Sequence, residues 1–213
     1  MARLDIFWSF RSPYSWLATD RLIAIAREYE VDARFRPVRP LALREPDFFE
    51  RARPQFLPYL MKDVFREAER LGIAVAPPRP DPVAMDMASG RVAPDQPLMA
   101  TLMRLAVAAV EAGRGLDFAR AAAARIWGGT ENWHDRARLA AAAGEAGLDL
   151  DELETWASQN PDRVRETIAA NEAEQLRHHW GVPLMVLDDE PFFGQDRLDA
   201  LRWRLDRRGL RRD

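Results

Sequence analysis

The sequence predicts an α/β fold in which a β-α-β unit and a β-β-α unit are separated by a large, all-helical insertion. Three observations carry this expectation. Polarity alternates with period two near the start of the chain and again near its end, the long middle repeats at helical spacing and is rich in alanine, and the segments close on turn or helix-stop residues. At 213 residues the chain exceeds the commonest domain size but falls short of two domains, which suits one core carrying an insert.

Leu4, Ile6 and Trp8 alternate with Arg3, Asp5, Phe7 and Ser9, the pattern of a strand buried mainly on one face. Ser12 then offers a helix cap and Pro13 the favoured first helical position, and Ala18, Leu22, Ile25, Ala26 and Tyr29 follow at helical spacing. Val31, Ala33 and Phe35 set against Asp32, Arg34 and Arg36 read as a second strand, which the usual handedness places after a right-handed crossover. From about Phe48 to Trp180 four or five helices fit. Tyr59 to Leu71 stops at Gly72, Leu98 to Ala112 at Gly113, Phe118 to Trp127 at Gly128, and a helix after Pro161 at Gly181. Val182 to Leu187 and Pro191 to Phe193 form a hairpin around Asp188-Asp189-Glu190, and Asp196 is placed to cap a last helix carrying Leu198, Leu201 and Leu205. The expected partition is residues 1–45 with 180–213 as one unit, and 46–179 as the helical insert.

Composition narrows the chemistry. Hydrophobic residues at 47% and charged residues at 31% describe a folded globular chain, and a net charge of −3 argues against a general nucleic-acid binder. The basic run Arg202 to Arg212 reads as a solvated helix face. With no cysteine in the chain, disulfides, thiolate metal sites and redox cycling on its own thiols are excluded, so sulfur chemistry here must borrow a thiol. No apolar stretch approaches the length needed to span a bilayer, and a cytoplasmic protein is expected. His178 and His179 are adjacent on a helical stretch and point apart, so they read as surface residues and not as a metal site. Trp127, Trp133, Trp156 and Trp180 read as helix-packing residues.

The strand-to-helix turn at Ser12 is where chemistry is expected. Unpaired N–H groups and the positive end of a helix dipole stabilise an anion there. Ser12-Pro13-Tyr14-Ser15 has the shape of a Cys-Pro-Tyr-Cys redox motif with both sulfurs replaced by hydroxyls, which keeps the geometry and removes the redox cycle.

The opening FWSFRSPYSWLA, the spacing Tyr59-x-x-x-Asp63-x-x-Arg66, the turn Gly181-Val182-Pro183 and the closing FFGQDRL together resemble the 2-hydroxychromene-2-carboxylate isomerases and kappa-class glutathione transferases. These form the glutathione-using branch of the DsbA-like thioredoxin superfamily. The resemblance runs in order from about residue 3 to about residue 203. It implies a thioredoxin-like fold, glutathione as cofactor and a homodimer. It also implies that Ser12 hydrogen-bonds the glutathione sulfur and that the Val182–Pro183 bond is cis, with its backbone alongside the cysteinyl residue. Phe193, Gly194, Gln195 and Asp196 would hold the γ-glutamyl end, with Asp196 on the ammonium and the helix-start amides on the carboxylate. For an aromatic or unsaturated acid substrate, the corresponding segment runs from Arg44 to Gln55 and offers Arg44, Arg53 and Pro54, with Arg66 as a further cation; the asparagine usual there is missing. The implied activity is isomerisation through reversible addition of the glutathione thiolate. The alternatives are a kappa-class-like transferase and a glutathione- or peptide-binding module without turnover.

Magnitudes are adequate for such activation. A free thiol with pKa about 8.5 is only a few per cent thiolate at neutral pH. A hydrogen bond to the charged form contributes about 1.5–3 kcal/mol and a helix end up to about 2 kcal/mol, against about 1.4 kcal/mol per pKa unit.

Overall fold

The structure, a computed structural model, describes residues 1–86 and 88–212. Strand β1 (Ala2–Trp8) occupies an interior position of a four-stranded sheet and is buried on both faces from Leu4 onward. Sequence alternation suggests one buried face, whereas the fold covers two: Leu4, Ile6 and Trp8 enter the main core, while Phe7 joins Val38, Leu184 and Val186 in a smaller cluster behind the sheet. Helix α1 (Pro13–Glu28) follows, and β2 (Val31–Pro37) pairs parallel to β1 with Ala2 opposite Val31 and Trp8 opposite Pro37.

Beyond β2 come two single-turn helices, α2 (Leu41–Arg44) and α3 (Phe48–Arg51), and then α4 (Phe56–Leu71), α5 (Pro97–Glu111) and α6 (Gly115–Trp127). The insert continues with α7 (Arg136–Glu145), α8 (Leu150–Gln159) and α9 (Pro161–Leu176). Six full helices and one single turn therefore stand where four or five were expected, and α9 ends five residues before Gly181. Strands β3 (Leu184–Leu187) and β4 (Glu190–Phe193) form the antiparallel hairpin, giving the order β2-β1-β3-β4. The first begins at Leu184 and not at Val182 because Pro183, which has no N–H, sits in a cis bond just before it.

Asp196 does not cap the last helix. Gly194, at φ 104°, turns the chain into a 3-10 turn over Gln195–Arg197, and α10 (Leu198–Arg207) continues from Arg197. Ser12 does cap α1: its backbone is extended and its Oγ accepts from the Ser15 N–H at 3.1 Å.

The insert is bound to the sheet by both apolar and polar contacts. Trp127 and Trp133 are buried with their indole N–H groups donating to Phe10 O at 2.9 Å and Pro80 O at 2.7 Å, and Trp156 packs at the core's edge. Trp180 departs from that group, being 44% exposed. Asp5, 1% exposed, pairs with Arg36 of β2 at 2.6 Å and with Arg3 at 3.0 Å. Arg36 also donates to Asn171 of α9, whose amide donates to Pro37 O at 3.1 Å, so the last insert helix is pinned to the end of β2. No helix among the described residues is long and apolar enough to cross a membrane.

Candidate active site at the head of the first helix

Ser12 is partly buried, and its hydroxyl reaches the carbonyl of Val182, 170 residues away in sequence, at 3.4 Å. That separation is at the long limit of a hydrogen bond, so the hydroxyl proton can be redirected at little cost. Ser12 N–H donates to Ser9 O and Ser12 O accepts from Trp16 N–H, both at 3.1 Å, which fixes the turn. Pro13 has no donor, and Tyr14 N–H and Val182 N–H have no acceptor among the described residues. Ser15, which stands at the second cysteine position of the redox-like motif, is fully buried with an unpartnered Oγ.

The predicted glutathione residues converge on this point from the other end of the chain. The Val182–Pro183 bond is cis. Gly194 N–H donates to Pro183 O at 2.9 Å, tying the end of β4 to the cis turn. Phe193 stacks on His179 with centroids 3.8 Å apart, and its ring fills the space a side chain on Gly181 would need, since a Cβ there would clash with it. Gln195 is buried, donating to Glu67 at 2.7 Å and accepting from Arg21; its side chain thus links the 3-10 turn to α4 and α1. The Asp196 carboxylate is exposed, lies over Gly194 and has Arg197 at 3.7 Å as its charge partner.

No hydrogen bond or ion pair joins the predicted acceptor residues to one another among the described residues. Arg44 is half-buried, and its guanidinium donates to Arg39 O and Trp180 O, each at 2.9 Å. Burial lowers its pKa from the ordinary arginine value. Arg53 lines an open recess of about 650 Å³ with Phe48, Phe56 and Tyr59, and Pro54 lies exposed beside it. Arg66 stands on α4, 3.7 Å from Asp63.

Two polar pairs flanking Ser12 were not identified as functional from the sequence. Tyr14 donates to Asp63 at 2.6 Å, and burial, reinforced by that carboxylate, pushes the phenol pKa up, so Tyr14 stays protonated. Arg11 grips Asp81 through two bonds of 2.8 and 3.0 Å and lies over the Phe49 ring. The Tyr59-x-x-x-Asp63 spacing was the only signal for the first; nothing local announces Asp81. His178 and His179 do diverge, but neither is a free surface group. The His178 side chain is 9% exposed with Glu174 at 3.6 Å, and His179 accepts from Gly181 N–H. No group of three metal-binding side chains occurs among the described residues.

A four-stranded mixed sheet interrupted by helices, with a capped α1 facing a cis-proline turn, defines the DsbA-type thioredoxin class. The chain belongs to the DSBA-like thioredoxin domain family, whose model matches residues 3–206. It is similar to the 2-hydroxychromene-2-carboxylate isomerase of Sphingobium xenophagum, at 27% identity over 199 residues, covering 93% of this chain and 95% of that one. Among solved structures it is similar to a 2-hydroxychromene-2-carboxylate isomerase (TM-score 0.69, 23% identity, 96% and 95% of the two chains). It is also similar in fold to the cytosolic disulfide reductase DsbM of Pseudomonas aeruginosa solved with GSH (TM-score 0.60, 16% identity, 96% and 99%).

Proposed function

We propose that the chain is a glutathione-dependent isomerase of an unsaturated aromatic carboxylic acid, with Ser12 as its catalytic residue. One observation carries the reading: Ser12 Oγ meets Val182 O, while the adjacent Val182 N–H and the Tyr14 N–H at the helix head have no acceptor among the described residues. A donor and an acceptor on one residue match the backbone of a cysteinyl peptide, and the helix head suits its thiolate. The residues present therefore fit glutathione. When bound, glutathione supplies a thiolate that adds to an unsaturated carbon and later leaves, so that the thiol is returned and the net change is an isomerisation.

The chain's own groups have the following tasks. Ser12 turns its proton from Val182 O to the sulfur and holds it in the charged form. The α1 dipole adds to that stabilisation. Asp196, exposed beside Gly194, pairs with the ammonium of the γ-glutamyl end. Arg53 faces the substrate carboxylate over the Phe48, Phe56 and Tyr59 surface. The absence of cysteine removes the disulfide chemistry named for DsbM, and the similarity to the Sphingobium isomerase supports isomerisation. Assembly as a homodimer in the cytoplasm belongs to the same reading.

The test is stoichiometric. With a hydroxychromene carboxylate and trace glutathione, the substrate spectrum changes over many turnovers while total free thiol stays constant. Thiol that falls one-for-one with product assigns a transferase instead, and binding of glutathione without turnover assigns a binding module.

A further inference from the structure

The turn from α9 to β3 is held by side chains, not by a regular backbone ladder. Trp180 O accepts from Arg44 Nη2 at 2.9 Å and from Gln175 Nε2 at 3.1 Å, and Gly181 O accepts from Gln175 Nε2 at 2.7 Å. Gly181 N–H donates to His179 Nδ1 at 2.9 Å. The carbonyls of Trp180 and Gly181 and the Gly181 N–H are thus taken up by three side chains from α2, α9 and the turn itself. The next donor along the chain, Val182 N–H, has no acceptor among the described residues, and the next acceptor, Val182 O, faces Ser12.

The three side chains are costly to place this way. Gln175 is fully buried. Arg44, half-buried, turns its guanidinium onto two backbone carbonyls and bonds no carboxylate among the described residues, so part of its hydration is exchanged for neutral acceptors. His179 stacks on Phe193, with centroids 3.8 Å apart, and packs against Trp180 at 5.2 Å, the three rings forming one cluster. Its burial lowers the imidazole pKa, which keeps Nδ1 an acceptor at neutral pH with the proton on Nε2.

We infer that Arg44, Gln175 and His179 are positioning residues that set the Trp180–Val182 backbone and so aim the Val182 amide at the cysteinyl residue of glutathione. They touch no substrate. This rests on the glutathione reading above and moves Arg44 from the acceptor site to the turn that presents the cofactor.

Two substitutions separate acceptor from ring. His179→Phe keeps a ring to stack on Phe193 and loses the Gly181 acceptor; His179→Asn loses the ring and keeps an oxygen close to the Nδ1 position. In the ligand-free protein the Gly181 amide should exchange slowly with solvent in the wild type and in His179→Asn, and fast in His179→Phe. Titration calorimetry with reduced glutathione should show about a tenfold higher Kd for His179→Phe, equivalent to about 1.4 kcal/mol, with most of it recovered in His179→Asn and the melting temperature little changed. Should His179→Phe fail to fold, Arg44→Met, which keeps the aliphatic stem, should show the same loss of affinity. Unchanged Gly181 exchange, unchanged Kd, or equal loss in both His179 variants overturns the inference. If the wild type itself does not bind glutathione, the functional reading fails, and Gly181 exchange alone then decides whether His179 holds the turn.

Discussion

At the scale of single residues, the contrast between Ser12 and Asp196 is instructive. Ser12 lies on an extended backbone, satisfies a helix amide and retains a hydroxyl whose other contact is a long one to Val182. Replacing it with alanine removes a donor to the thiolate and leaves the helix dipole in place. The charged form of bound glutathione is then less favoured, so its thiol pKa should rise by about one to two units while affinity changes little; thiolate absorbance followed against pH measures this, and an unshifted pKa removes Ser12 from the mechanism. The serine was legible in the sequence because helix capping is local. Asp196 does not serve as the cap because the positive φ of Gly194 and the 3-10 turn displace the helix start by one residue, and no local pattern encodes that. Gln195 and Arg44 were opaque for another reason: their partners are Glu67, 128 residues away, and Trp180, 136 residues away.

At the scale of elements, strong periodicity was readable and sparse periodicity was not. Helices α4, α5 and α6 were recovered to within a turn, whereas α7 and α8 were missed. Leu139 is the only large apolar side chain in α7, which also contains Gly144, so its buried stripe is mostly alanine. Helix α8 did carry a local signal in Asp149, which accepts from Asp151 N–H at 2.8 Å and Glu152 N–H at 3.1 Å. Strand β1 looked amphipathic because Asp5 occupies a buried position by virtue of two arginines. Arg36→Met should therefore cost about 3 kcal/mol, since it leaves a buried carboxylate with Arg3 alone. Urea denaturation measures the loss, and the double variant Asp5→Leu/Arg36→Met should recover most of it. A loss below about 1 kcal/mol would show that water reaches Asp5.

For the molecule as a whole, the order of elements was written in the sequence and their packing was not. Placing β1 between β2 and β3 brings the first strand against one almost at the other end of the chain, with Leu4 opposite Leu187 and Phe7 opposite Leu184. The site forms at that junction, and the helical insert is the long connection between its halves. Thermodynamically such a connection is mild, since each doubling of loop length costs only about 0.6 kcal/mol. Its consequence is one of timing. Helical contacts within the insert are local and form early, while closure of β1 on β3 must await a long-range encounter. In stopped-flow refolding, the helical circular dichroism should return in a fast phase and the thiolate signal of bound glutathione in a slower one. Equal rates would show that the insert does not fold ahead of the sheet. A newly made chain would accordingly pass through a helical, incompletely paired state with the edge of β1 still open, and the arrival of β3 would both close that edge and complete the site.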